Sequence, residues 1–261
     1  MGKEAKNCLY TFLYLLALYL GIKMLPLQRW IQISWLVFLV QFCLYFGLIL
    51  LILSETKKGK IKRQTIQKKK HLLLLIPYLI GASSNLLYGL FFRLTPKINV
   101  DIDLLSVAAL TLECVTIEEL LFRYIFLDFL IGILKGSKNK RMEVIFFDAL
   151  AFSLMHCINF FGNNPLNVLL QIGYTFILGC ILSSIAMITE YPLLPIAGHF
   201  LFNFLNTDLV IRIYELDMSR IDYIVFSLSI GMLMIAYTGL LLVLNSSLKK
   251  KGDENGNKRN I

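Results

Sequence analysis

Long apolar blocks separated by short polar connections make up most of this chain. A hydrocarbon core of about 30 Å requires about 20 apolar residues per helix, and eight segments reach or approach that length. They are 8–25, 31–53, 72–92, 104–134, 144–161, 166–188, 193–213 and 223–244. Asp208 and Arg212 interrupt the seventh, which leaves open whether it spans the membrane fully or stops near Asn206. The pattern predicts an all-α, polytopic membrane helix bundle of about eight transmembrane helices.

Composition points to lipid as the main solvent of the chain. Hydrophobic residues make up 57% of the sequence, and the mean hydropathy is +0.69. Soluble domains are closer to about 45 to 50% apolar. The 26 Lys and Arg residues exceed the 17 Asp and Glu residues, but the cations cluster between apolar segments instead of forming a stripe with interleaved aromatics. Nucleic acid is therefore excluded as a partner, and a lipid bilayer is predicted.

Basic connections predict the orientation of the bundle. The segment 57–70 contains eight cations, which the positive-inside rule places in the cytoplasm. Two spans separate this segment from the basic residues of 135–141, and six separate it from those of 249–251. Both groups are therefore predicted to lie in the cytoplasm as well, together with both termini. No small-residue cleavage site follows the first apolar segment, which we interpret as an uncleaved span. The Lys-, Ile- and Asn-rich composition favours a bacterial plasma membrane.

The five cysteines, Cys8, Cys43, Cys114, Cys157 and Cys180, lie inside apolar segments without CxxC or zinc-finger spacing. We interpret them as small buried hydrophobic residues.

Charged residues inside the fourth apolar segment need an explanation. Glu118, Glu119 and Arg123 together would cost on the order of 7 to 10 kcal/mol if they faced lipid, so they must face protein or water. Glu119 and Arg123 are four apart, the spacing of an ion pair on one helix face. Glu118 stands about 100° around the helix from Glu119 and is left as a basic oxygen that can activate water. A purely structural network that locks helices together is the alternative.

Two of the three histidines strengthen the catalytic interpretation. His156 lies in the fifth apolar segment and His199 in the seventh. Phe152 and His156 are four apart, as are His199 and Asn203, so each pair shares a helix face. Pro195 fits the first turn of a helix and places His199 about one turn in. The set predicts a small polar pocket.

These residues spell Glu118-Glu119-x-x-x-Arg123, then Phe152-x-x-x-His156, then His199-x-x-x-Asn203. The pattern resembles the CAAX protease and bacteriocin-processing family, also called Abi, which includes the type II CAAX prenyl endopeptidases. The resemblance implies a helix bundle around a water-filled polar cavity. It also implies endoproteolysis of a peptide or membrane-protein substrate near its terminus, either a prenylated protein or a bacterial peptide.

Residue roles follow from the resemblance. Glu118 with His156 would polarise the attacking water, and His199 with Asn203 would stabilise the oxyanion of the tetrahedral intermediate. Glu119 and Arg123 would orient Glu118, and Phe152 would pack against the site. Members of this family have also been called metalloproteases, and Glu118, His156 and His199 are a ligand set that zinc accepts. The absence of HExxH favours the mechanism without a cofactor.

Two further functions stay open from the sequence. A non-catalytic immunity or peptide-binding membrane protein would use the same cavity without hydrolysis, as the resemblance to bacteriocin-related proteins allows. A proton-coupled transporter also buries Glu and His, but no inverted repeat with broken helices is visible. The predicted organisation is an N-terminal set of membrane helices with the basic loop over 1–103, a catalytic core over 104–213, and a last helix with a polar tail over 214–261.

Overall fold

The computed structural model describes residues 3–25, 34–56, 76–92, 104–134, 136–137, 139–161, 164–189, 193–209, 221, 224–236 and 239. These residues are helical apart from short turns, and none of them forms a strand. The basic loop 57–70, Arg212 and residues 250–261 of the polar tail lie outside the described residues.

The described residues form nine α-helices, at least one in each of the eight predicted apolar segments. They are α1 (Lys3–Met24), α2 (Ser34–Thr56), α3 (Ile76–Phe91), α4 (Leu104–Glu119), α5 (Leu127–Ile133), α6 (Lys140–Met155), α7 (Pro165–Thr189), α8 (Leu193–Leu201) and α9 (Ile224–Ala236). A π-helix, Leu120–Phe126, joins α4 to α5, so the fourth segment is one continuous helical path. A 3₁₀ helix, His156–Phe160, extends α6, and a second π-helix, Phe202–Leu209, extends α8.

Four of the described helical stretches are long and apolar enough to cross a membrane: Ala5–Met24, Trp35–Ser54, Lys140–Phe160 and Pro165–Met187. The fold is therefore an all-helical bundle of the membrane class, as the sequence predicts. The seventh segment is helical from Leu193 to Leu209 and is one of the shorter apolar helices. Its remaining predicted residues, 210–213, lie beyond the part that the structure describes.

Aromatic and aliphatic side chains hold α1 and α2 against α4 and the first π-helix. Phe12 and Tyr19 of α1 pack with Tyr45 of α2, with Phe122 of the π-helix and with Phe152 of α6, and all five are buried. Phe12 and Phe122 meet edge to face at 5.3 Å between ring centroids. This cluster brings the first helix of the chain beside the charged stretch of the fourth segment.

A close approach of α6 and α7 depends on a small residue. A Cβ atom added to Gly179 would lie 3.0 Å from the Cα of Ala149 and 3.3 Å from Cδ1 of Phe152. Small residues at helix crossings allow backbones to approach closely in membranes. Gly179 thus fixes how far Phe152 and its neighbours on α6 reach into the bundle.

Cysteine burial differs from the expectation in one place. Cys8, Cys114, Cys157 and Cys180 are partly buried, whereas Cys43 is exposed on α2. The helix is apolar on all sides, so its hydrophobicity does not tell which face is buried. All five cysteines are free thiols.

Candidate active site

Glu118 lies in the last turn of α4 with 5% of its surface exposed. Its Oε1 accepts a 2.7 Å hydrogen bond from the hydroxyl of Tyr19, a fully buried residue of α1. Its Oε2 lies 3.9 Å from Nε2 of His199, which is longer than a direct hydrogen bond. The carboxylate is thus fixed on one side by Tyr19 and turned on the other toward an imidazole.

Glu119 holds the other end of the same imidazole. Its Oε1 lies 2.8 Å from Nδ1 of His199, and both side chains are buried. A carboxylate accepts hydrogen bonds, so this contact places a proton on Nδ1 and leaves Nε2 toward the site. Nδ2 of Asn203 lies 3.2 Å from that Nε2. His199 is therefore oriented at both ring nitrogens.

Arg123 anchors this part of the site to two more helices. Its Nε lies 3.3 Å from Oε2 of Glu119, which forms the predicted i, i+4 ion pair. These two atoms are not aligned for a hydrogen bond. Its Nη1 donates to Oδ2 of Asp148 on α6 at 2.6 Å, and the Ser183 hydroxyl of α7 donates to the same oxygen at 2.6 Å. All four side chains are fully buried. A buried cation between two carboxylates is compensated rather than left facing lipid.

Phe152 separates the two imidazoles. Its ring centroid lies 5.5 Å from that of His156 and 5.6 Å from that of His199, with both pairs at 83°. The guanidinium carbon of Arg123 lies 4.6 Å from the same ring centroid, within cation–π range. The side chain that the sequence assigned only to packing therefore contacts three polar members of the site.

His156 is buried, with 7% of its surface exposed. Neither of its ring nitrogens forms a hydrogen bond within the part of the chain that the structure describes. Its imidazole interacts electrostatically with Glu118 and with His199. Buried polar groups are almost always hydrogen-bonded, so this imidazole has the properties of a group that binds water or substrate.

Irregular helix geometry coincides with each motif. Glu119 is the last residue of α4 before the first π-helix, which contains Arg123. His156 begins the 3₁₀ helix that follows α6, and Asn203 is the second residue of the other π-helix. Such departures from α-helical geometry are frequent at functional sites. Here they bring polar side chains of three segments to one place.

The structure thus gathers Glu118, Glu119, His199 and Asn203 by direct contacts or close approach, with His156 joined through Phe152. One difference concerns the supporting pair, which the resemblance expects to orient Glu118. Glu119 contacts His199 instead, and the residue bonded to Glu118 is Tyr19. The two glutamates point to different partners because they stand on different faces of α4.

Sequence reasoning missed Tyr19, Asp148 and Ser183. Asp148 could have been identified from the sequence, because it is an acid inside an apolar segment, eight positions before His156. Tyr19 and Ser183 could not have been identified in this way, since tyrosine and serine are ordinary residues of membrane helices. Glu113, five residues upstream of Glu118, is 6% exposed, and its carboxylate makes no hydrogen bond among the described residues.

The alternative ligand set for zinc does not fit this geometry. His199 has Nδ1 on Glu119 and Nε2 on Asn203, so it presents no unengaged nitrogen beside Glu118 and His156. Within the described ranges, no group of three or more His, Cys, Asp or Glu side chains is arranged to hold a metal ion. The donor arrangement is that of a hydrogen-bonded network.

A cavity of about 790 Å³ lies between α3, α7 and α9. Most of its lining side chains are apolar, including Ile177, Phe202 and Met234. The resemblance implies a water-filled polar cavity, whereas this one is polar only in part. Phe202 adjoins Asn203 in sequence, so the cavity reaches the neighbourhood of the site.

Residues 101–205 match the family model described as type II CAAX prenyl endopeptidase Rce1-like. The match contains every residue of the three motifs. This segment is similar to the Rce1-like family. The Rce1-like segment covers less than half of the chain and overlaps the core predicted over 104–213. Comparison with curated proteins and with solved structures gave no match. The chain is therefore a multi-pass membrane protein, and its residues 101–205 are similar to a peptidase family.

Proposed function

We propose that the chain is an intramembrane endopeptidase in which Glu118 activates a water molecule for attack on a peptide bond. The observation that carries the proposal is the placement of the buried Glu118 carboxylate between Tyr19 and His199, next to His156. A buried carboxylate fixed at one oxygen by a hydrogen bond and turned at the other toward an imidazole has the arrangement expected of a general base.

The proposed reaction begins with a water held between Glu118 and His156. Glu118 removes a proton as the water oxygen bonds to the substrate carbonyl carbon. The amide of Asn203, which directs one N–H group to Nε2 of His199, donates its other N–H group to the oxyanion that develops. The proton held by Glu118 then passes to the leaving nitrogen, and the carbon–nitrogen bond breaks. The products are a carboxylate and an amine.

The outer contacts support this sequence of steps. Glu119 fixes the tautomer and direction of His199, and Arg123 with Asp148 keeps Glu119 in place. Residues that orient a catalytic group matter nearly as much as the group itself. We propose that the supporting pair acts through His199, and that the reaction needs no metal ion.

A trapping experiment tests the proposal. The full chain with Glu118→Gln is purified from membranes, and bound peptides are identified by mass spectrometry. The wild type should hydrolyse the trapped peptides, while Glu118→Ala, His156→Ala and His199→Ala should lose activity by at least about a hundredfold. Glu113→Gln is the matched control, because Glu113 is a buried acid of the same helix outside the contacts of the site.

Normal hydrolysis by the three alanine variants would refute the assignment. The competing function, a non-catalytic immunity or peptide-binding protein, gives a different result. In that case the trapped peptide binds but the wild type leaves it intact, and protection of cells from the peptide survives Glu118→Ala.

We further propose that both termini lie in the cytoplasm and that the membrane is a bacterial plasma membrane. The basic segment 57–70 and the basic residues near 140 support the orientation. Fusion of a reporter that is active only outside the cytoplasm to the C-terminus should give no signal. A strong signal would reverse the orientation.

A further inference from the structure

Lys23 stands one helical turn after Tyr19 on α1, on the same face of the helix. Its Nζ lies 5.8 Å from the centroid of the Tyr19 ring. The hydroxyl of that ring is bonded to Glu118. Lys23 is thus separated from the proposed general base by a single aromatic side chain.

The charge of Lys23 acts on the site. It interacts electrostatically with Glu118 and with His156. The side chain is exposed, and no ion pair joins it to an acid anywhere in the described ranges. A cation that is exposed and forms no direct ion pair can attract an anionic group of a ligand.

Lys23 also lines the 790 Å³ cavity, where it is the single charged residue among the described lining side chains. The other polar lining groups are neutral, and aliphatic and aromatic side chains form most of the wall. Ligand sites commonly combine apolar walls with a few polar groups that fix orientation. A ligand matching this cavity has an apolar body and one negative charge.

We propose that Lys23 binds a carboxylate of the substrate while an apolar part of the same peptide occupies the cavity. This inference rests on the proposed function, because it places the anion beside the bond that the Glu118 water would attack. The carboxylate comes either from the C-terminus of the peptide or from an acidic side chain, and the chemistry of binding is the same. Lys23 is then a specificity-determining residue.

The test measures binding without turnover. The full chain with Glu118→Gln is placed in lipid nanodiscs, and three fluorescent apolar peptides of one sequence are titrated by anisotropy. The first has a free C-terminal carboxylate, the second a C-terminal amide, and the third an amide with one Glu near its end. Hydrolysis by the protein with Glu118 intact is measured separately.

The free-carboxylate peptide should bind about tenfold more tightly than the amide, in line with one charge-assisted hydrogen bond. Lys23→Met should remove this preference, and Lys23→Arg should keep most of it. Lys6→Met is the matched control on the same helix, about 25 Å away. It should leave the preference unchanged.

The third peptide identifies the source of the carboxylate. Binding as tight as that of the free terminus means that an acidic side chain suffices, and binding like the amide means that the terminus is required. Equal affinity for all peptides, no measurable binding, or a preference that survives Lys23→Met overturns the inference, and Lys23 is then a lysine that extends to the membrane interface. Because binding is read separately, loss of hydrolysis alone would count against the proposed function and not against the subsite.

Discussion

The hydroxyl of Tyr19 donates a 2.7 Å hydrogen bond to Glu118, a residue 99 positions further along the chain. Tyr19 lies outside the Rce1-like segment, which spans residues 101–205. The first helix is therefore part of the wall of the candidate site.

Removing the Tyr19 hydroxyl should slow catalysis without preventing substrate binding. Tyr19→Phe takes away one hydrogen bond to a charged oxygen, worth about 1.5 to 3 kcal/mol, so kcat should fall by about 10- to 100-fold with KM nearly unchanged. Steady-state kinetics on a trapped peptide give both constants. Tyr45→Phe is the control, because Tyr45 is also buried and its ring centroid lies 6.1 Å from that of Tyr19. Equal losses in both variants would contradict a specific role for Tyr19.

Asn203 should matter for the transition state rather than for binding. Its amide nitrogen lies 3.2 Å from His199, in a position to donate to the oxyanion in the proposed reaction. Asn203→Ala should lower kcat by about 10²- to 10³-fold, the usual effect of losing one oxyanion donor. Asn139→Ala, at an exposed position before α6, serves as the control. A change in KM alone would assign Asn203 to substrate binding instead.

Arg123 should be needed for stability as well as activity. Arg123→Met would leave the buried carboxylates of Glu119 and Asp148 without their cation, at about 3 to 5 kcal/mol. The apparent Tm in detergent should fall, and Arg141→Met on the exposed start of α6 should not lower it. Adding Asp148→Asn to Arg123→Met should recover part of the loss, because the two residues share one interaction. Strict additivity would show that they are not coupled.

The crossing of α6 and α7 should tolerate no side chain at Gly179. Gly179→Ala places a methyl group 3.0 Å from the Ala149 backbone, and overpacking of this kind costs about 1 to 3 kcal/mol. Gly173→Ala on the same helix meets nothing within 4 Å and should be neutral or slightly stabilising. Thermal unfolding of the two variants in detergent makes the comparison. Similar Tm values would mean that the helices move apart easily.

Metal chelation should leave activity unchanged. Both ring nitrogens of His199 are engaged by Glu119 and Asn203, so the proposed reaction relies on hydrogen-bond donors. Hydrolysis of a trapped peptide is measured before and after prolonged treatment with a strong zinc chelator. Loss of activity that added zinc restores would require His199 to change partners and would replace the metal-free mechanism.

Hydropathy alone predicted the helical membrane bundle, since every lipid-facing backbone group must be satisfied within its own helix and about 20 apolar residues are needed per span. Intramembrane charges located the candidate site for a similar reason, because Glu118, Glu119 and Arg123 are too costly to leave in lipid. The Glu119–Arg123 pair followed from helical spacing, and the family match at 101–205 agrees with the motifs. These inferences are local and depend on residue type and periodicity.

The partners of those charges were decided by tertiary structure. Which glutamate meets Tyr19 and which meets His199 depends on the rotation of α4 relative to α1 and α8, and an apolar helix surface does not reveal that rotation. Ser183 reaches the Asp148 carboxylate that binds Arg123 because Gly179 lets α6 and α7 approach closely. Lys23 meets the cavity only through the path of the first helix. The sequence determined which charged and polar side chains must be buried away from lipid, and the packing of the helices determined which of these side chains contact one another.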